Sequence, residues 1–502
     1  MKIALIPLDE RPVNTRYPRM IADIAGIDFV MPPLDLLSKR RDPNPYDALL
    51  TWLEDTAPQL DVLIVSIEQF VFGGLIASRI TNAPTTQLMT RLDRLIAISE
   101  QYPAMYMFAF SVITRISNAN NNIEEPLYWD TQGINLYRYS QLMHKQQIGQ
   151  DVQALLDTVK AKIPSEHIHD FTFRRLRNHQ MNLQLLEQFG HDRFDLLVIS
   201  SDDTSEYGYG SQEKAWLQTW VQRLYADDDR LLMYPGADEI GCVLLMRAVL
   251  DGASPQFYIH YAIDEDKERV APYEDGAIRI TVERQIKALG GIIADNINTA
   301  DYIVAVTPPS RMGQEYDPEA QFFAEEHQRR QPYIEQFVQD IHGWLASEKR
   351  VIICDVAYPN GSDPMLIEQL LTQTKLHQLA SYGAWNTAGN TIGVALAQGI
   401  ASARAVTDEQ HIAQQTFLLH RFLEDWGYQH LVREEVRDWL EAQTGRRDPL
   451  PNEIDMLKHE IQQRLDNLLT QLSPLSDDYT ISRIHLPWQR TFEVDFDLER
   501  TS

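Results

Sequence analysis

The sequence predicts an α/β protein with parallel sheets in two Rossmann-like lobes, followed by a helical C-terminal region. Three observations carry this reading. Short, almost wholly apolar runs recur along the chain, as at residues 2–7 (KIALIP), 61–67 (DVLIVSI) and 194–201 (FDLLVISS). Runs of that length and composition fit strands buried on both faces of a parallel sheet. Helical patterns separate them, which is the alternation of βαβ units. Clustered polar residues, mostly acids, follow the runs, and ligands of open α/β sheets bind beyond the carboxyl ends of the strands.

In the first lobe, residues 1–190, strands are expected at 2–7, 29–31, 61–67 and 105–110. Helices are expected through 20–25, over 46–55 and over 87–99, where Leu and Ile recur at helical spacing. The alternation pauses over about 124–191. That span carries two helical patterns rich in Gln and Leu and reads as a helical insertion, with a role as lid or as homo-oligomer surface left open. In the second lobe, residues 191–405, strands are expected at 194–201, 231–234, 256–262, 292–293, 302–306 and 350–354. A long helix is expected over 318–347. About ten strand candidates exceed the eight of a closed α/β barrel, which leaves a β/α barrel with extensions as the alternative. Residues 406–502 read as amphipathic helices with a β-like tail.

Composition narrows the function classes. A net charge of -27 repels nucleic-acid backbone and anionic lipid, so neither is expected as a partner. No apolar run reaches the ~20 residues of a membrane span. The start, MKIALIPLDERP, lacks the pattern of a secretory signal, and the only two cysteines, Cys242 and Cys354, sit inside apolar runs. Both features fit a reducing, cytoplasmic setting. The chain has no GxGxxG after its first strand, no GxxxxGK[ST], no GxSxG, no HExxH and no CxxC. No nucleotide cofactor and no zinc site are therefore expected, and no metal-ligand set is assigned. Magnesium or manganese held by carboxylates stays compatible with the acids present.

The sharpest element is Asp202-Asp203 at the end of the 194–201 strand. Adjacent acids raise one another's proton affinity, so one can stay protonated while the other ionises. That suits the acid/base pair of glycoside hydrolysis. Asp202 and Asp203 are the expected catalytic residues, with Asp238 or Asp355 assisting. Other strand-end loops supply candidate binding groups: Asp9, Glu10, Arg11 and Asn14; Glu68 and Arg79; Arg115; Glu239; Asn360. Each acid has a bland reading as a solvated loop residue or helix N-cap, and for Asp238 and Asp363 the cap is at least as good an explanation. Tyr382–Asn390, YGAWNTAGN, adds Trp385, Asn386 and Asn390. An indole face matches a pyranose and Asn amides match hydroxyl or acetamido groups, although Trp385 equally fits core packing. Arginines in the same loops could instead clamp a carboxylate or phosphate.

The segments IPLDERPVN (6–14), FGGLIASR (72–79), PGADEIG (235–241), DVAYPNGSD (355–363) and YGAWNTAGNTIG (382–393) together resemble an uncharacterised bacterial family known only as a domain of unknown function. That resemblance implies a coherent unit and brings no activity. The tandem aspartates are also similar, more loosely, to those of N-acetylhexosaminidases assisted by the substrate's acetamido group. The expected function is hydrolysis of a small sugar or aminosugar glycoside. The alternatives are a carboxylate-metal hydrolase or lyase acting on a small acid, and a non-catalytic sugar or metabolite sensor.

Overall fold

The structure is a computed structural model that describes residues 1–202 and 205–501. Its chain divides into two compact units: Met1–Glu10 with Ile27–Gly241, and Arg11–Gly26 with Cys242–Ser502.

The first unit is built on six strands: β1 (Lys2–Ile6), β2 (Asp28–Val30), β3 (Val62–Ser66), β4 (Tyr106–Ile113), β5 (Leu196–Ser201) and β6 (Leu231–Pro235). All pair in parallel, in the order β2-β1-β3-β4-β5-β6. The five residues of β3 and the six of β5 are all buried, as strands covered on both faces must be. On one face, Leu88, Leu92 and Leu95 of the helix Thr85–Gln101 share a core with Leu63, Val65 and Ala109. Their spacing of four and three residues puts them on a single helical stripe.

The expected boundary at residue 190 does not coincide with this division. The strands near 196 and 231 are the fifth and sixth of the first sheet rather than the opening of a second lobe. The reason lies in the helix Ser165–Gly190. Its first half closes a small helical core with Trp129, Leu136, Tyr139, Leu156 and Phe171. Its second half lays Met181, Leu185, Leu186 and Phe189 onto the sheet, so it is also the crossover from β4 to β5.

The second unit has five parallel strands: β7 (Gln256–Tyr261), β8 (Ile292–Ile293), β9 (Tyr302–Thr307), β10 (Arg350–Asp355) and β11 (Ser381–Gly383). Their order is β11-β10-β9-β7-β8. Numbered within its own unit, the second sheet runs 2-1-3-4-5 and the first runs 2-1-3-4-5 with a sixth strand added beyond strand five; this is the flavodoxin-like order, whose ligand crevice opens between strands one and three. Neither sheet closes into a barrel. The expected C-terminal region is not a separate core. Leu457, Ile461 and Leu465 of the helix Ile454–Leu469 belong to the same apolar cluster as Val351, Ile353 and Leu366. The β-like tail is an antiparallel hairpin, β12 (Tyr479–His485) and β13 (Asp495–Arg500). Among the described residues, no helix is long and apolar enough to cross a membrane.

The helix Pro12–Ala25 belongs to the second unit although it follows β1 in the chain. A buried polar clasp holds it. Arg421 lies 4.0 Å over the Tyr17 ring and bonds the Tyr17 hydroxyl and Glu424. Its other arm pairs with Asp425 at 3.0 Å. Asp425 in turn accepts the backbone N–H of Ala384, just beyond β11, at 2.7 Å. Burial pushes Glu424 up to about 8 and Asp425 up to about 6, with Arg421 opposing the rise in both. Glu424 and Asp425 sit in the π-helical stretch Phe422–Val432, a rare geometry that departs from the usual i→i+4 ladder. Arg421→Met would leave two acids buried without their cation. A loss of about 3–5 kcal/mol in unfolding free energy is expected from denaturant titration. A variant within 1 kcal/mol of the parent, on the same order-of-magnitude scale, would show that the clasp is not a structural support.

Candidate functional site

The carboxyl edge of the first sheet gathers the polar residues expected there. Glu68 begins the π-helical turn Glu68–Phe72 directly after β3. The β3–β4 register pairs Ser66 with Phe110. Ser111 thereby falls beside Glu68, and its hydroxyl donates to the carboxylate at 3.0 Å. The Val112 N–H donates at 2.9 Å and the Ser66 hydroxyl at 3.3 Å. Ser111 also approaches Asn182 of the crossover helix at 2.9 Å. Burial pushes the Glu68 carboxyl up to about 7, against these hydrogen bonds, which lower it. The group therefore changes charge near neutral pH.

At β5 the ladder continues one residue past the strand, because the Asp202 N–H donates to the Ile113 carbonyl at 3.1 Å. That fixes half-buried Asp202 at the edge, next to β4. Asp203, its expected partner, lies outside the described residues. After β6, the Gly236 N–H bonds the Ser201 carbonyl at 3.0 Å, and the Ala237 N–H donates to Glu239 at 2.9 Å. Gly236 has φ +141°, and a Cβ there would meet the Glu239 carboxylate at 2.0 Å. Only glycine lets the chain turn so tightly over that buried acid. Asp238 and Asp9 are also buried, at the ends of β6 and β1. Glu10 accepts the Arg40 N–H at 2.6 Å. Arg79 and Arg115 converge on the loop after β4, where both pair with Glu124, and Arg79 also pairs with Glu125. These acids were not singled out in the sequence, although EE at 124–125 is the only acidic pair in that loop.

The remaining expected residues fall in the second unit, and several are internal. Asp355, at the end of β10, accepts the Thr307 hydroxyl at 2.6 Å and the Asp363 N–H at 2.7 Å. Burial, and next the charge of Asp363, pushes it up to about 7. Asp363 caps the helix Pro364–Gln373 and pairs with buried Arg330 at 2.7 Å. This knot fixes the loop after β10. Asn360 (φ +56°) donates its backbone N–H to the Asn386 carbonyl at 3.0 Å and its amide to Glu315 at 2.8 Å, linking the loops after β10 and β11. Trp385 is 3% exposed and its carbonyl accepts the Thr391 hydroxyl, so in this form its ring is packing rather than an open sugar platform. Its indole N–H is buried with no hydrogen-bond partner among the described residues. Asn390 is buried in the first turn of the helix Ala388–Ser402. The Arg11 guanidinium lies 4.9 Å over the Trp488 ring, and Arg11 supplies the carbonyl that receives the Asn14 N–H at 2.9 Å.

Among the described residues, no three His, Cys, Asp or Glu side chains are grouped to hold a metal ion. Both cysteines are fully buried.

The protonation of Glu68 has a stability consequence. Its carboxyl binds a proton below about 7 when folded, but only below 4.5 when unfolded. Between those values the folded state holds the extra proton, so stability falls as pH rises through the window and levels off above 7. Glu68→Gln removes this dependence while keeping an oxygen for the Val112 N–H. The variant should gain on the parent by up to about 3 kcal/mol between pH 4.5 and pH 8. Parallel stability profiles for the two proteins would show that Glu68 is not desolvated.

A family model described as "Protein of unknown function (DUF4127)" matches residues 3–497. No curated protein and no solved structure matches the chain. With one model spanning both sheets and the core that the C-terminal helices share, the chain belongs to the DUF4127 family.

Proposed function

We propose that the chain is a hydrolase that cleaves the glycosidic bond of a small sugar or aminosugar over the carboxyl edge of its first sheet, using carboxylates for the proton transfers. The observation that carries this reading is the company at that edge. Asp9 and Glu10 follow β1, Glu68 follows β3, Asp202 follows β5, and Asp238 with Glu239 follows β6. The edge spans the β1/β3 switch point where ligands of this topology bind.

Glycoside hydrolysis needs one carboxyl group that gives a proton and one that takes a proton or attacks carbon. In this reading Asp202 and Asp203 perform those two tasks. Glu68 is a positioning residue that holds the ends of β3 and β4 together through Ser66, Ser111 and Val112. A hydroxyl-rich, neutral substrate suits an edge supplied mainly with acceptors, since sugar hydroxyls donate to carboxylates. Both cysteines are buried, so a thiolate nucleophile is not the better choice.

The test is a panel of chromogenic glycosides, including N-acetylaminosugars, with the parent, Asp202→Asn and Asp203→Asn, each run with and without chelator. Chelator-resistant turnover by the parent is expected, with a loss of about 100- to 10,000-fold in kcat for Asp203→Asn at unchanged thermal stability. Full turnover by Asp203→Asn would remove the assignment. Turnover of a small acid instead, lost with chelator and restored by magnesium, would replace the reaction class.

A further inference from the structure

We propose that the first unit binds one small monovalent anion, of the size and charge of chloride, in an arginine-lined cavity beside the carboxyl end of β4. The cavity measures about 20 Å³, and Arg79, Arg115, Arg174 and Arg175 line it with Tyr128, Trp129 and one carboxylate, Glu125, which Arg79 holds. Roughly 10–15 Å³ is enough for one water-sized guest, so the space suits a single water or a single-atom ion.

The donors favour the ion. Arg175 is saturated: Nε and Nη2 grip Glu213, while Nη1 bonds the Thr114 carbonyl and hydroxyl. Arg79 and Arg174 are not. Arg79 directs its two Nη atoms at Glu124 and Glu125. Arg174 uses Nη1 on the Thr81 carbonyl and Nη2 on Asp170, each at 2.6 Å. The Nε–H of each of these two arginines is buried with no partner among the described residues. Both side chains are more than nine-tenths buried, with 3% and 9% of their area exposed. Two charged donors left without an acceptor on residues that line one narrow space each carry a desolvation cost that a shared acceptor would remove.

The charge balance points the same way. The four lining arginines meet four carboxylates: Arg79 pairs with Glu124 and Glu125, Arg115 with Glu124, Arg174 with Asp170 and Arg175 with Glu213. Arg177, on the same helix as Arg174, is buried and bonded only to neutral acceptors: the carbonyls of Ser78, Thr81 and Ala83, and the Asn178 amide oxygen. Burial, then the charge of Arg174, draws its pKa down to about 10. Arg177 stands behind the lining, and its charge, felt by Arg174, is the one positive charge in this group of arginines without a carboxylate among the described residues; an anion offsets it, and a water does not. Arg79 stands on the helix Leu75–Ile80, Thr114 follows β4 and Arg174 stands on the crossover helix, so a bound anion fastens the helical insertion to the sheet.

Two measurements test this. Crystals soaked in sodium bromide should show an anomalous peak in contact with Nε of Arg79 and Nε of Arg174. Thermal unfolding in sodium chloride, against sodium gluconate at equal ionic strength, should show a midpoint higher by about 2 °C or more in chloride. Arg174→Lys, which keeps the charge and removes the Nε–H, should lose that difference. A water-like density without anomalous signal, or superimposable unfolding curves of the parent in the two salts, would overturn the proposal. If the variant does not fold, the two measurements on the parent decide alone.

Discussion

Strands buried on both faces leave no room along their length for charge. That constraint organises both units. β3, β5 and β9 are buried throughout, so polar side chains collect where the strands stop. Because every strand of a sheet runs the same way, the stops lie on one edge. The edge is only partly wet, and an acid placed there is desolvated while it is fed by N–H and hydroxyl donors from its neighbours. Glu68 in the first unit and Asp355 in the second show the same outcome, each carrying a raised proton affinity with burial as the leading cause. Repetition of the 2-1-3-4-5 order sets this arrangement up twice in one chain.

The two edges use their acids differently. In the second unit Asp355 and Asp363 are tied to Thr307, Arg330 and the first turn of a helix, which is the work of a structural knot. In the first unit Asp202 is half-buried, and its backbone N–H extends the ladder to the Ile113 carbonyl. Asp355, expected to assist catalysis, is engaged in fixing the loop after β10.

Much of the fold was legible in the sequence because the apolar runs are long and the helical stripes regular. The parallel sheets, the helical insertion and the β-like tail all follow from such patterns. β11 was missed because three residues, SYG, make no periodicity, and a strand so short is defined only by its pairing with Ile352–Cys354. The boundary at 190 misled because one helix serves two cores, and the pattern of its apolar residues does not say which neighbour each meets. Glu68 was identifiable as a lone acid after an apolar run. Ser111 and Asn182 were not, since strand register and a distant crossover helix bring them to it. Trp385 carried the ring and the amide-rich surroundings of a sugar platform, but the loop folds beneath its own helix through Thr391. The Arg421–Glu424–Asp425 clasp was not singled out, because spacing of three and four residues is the same inside and outside a core.

The central claim is that the carboxyl edge of the first sheet is dry enough to raise the proton affinity of Glu68. Direct titration of the Glu68 side-chain carboxyl by carbon-detected NMR, assigned against Glu68→Gln, is the most immediate measurement. A midpoint near 7 is the expected result. A midpoint at the ordinary 4.5 of a solvated glutamate would mean that water reaches the edge freely, and the desolvated acid chemistry described for it would not hold.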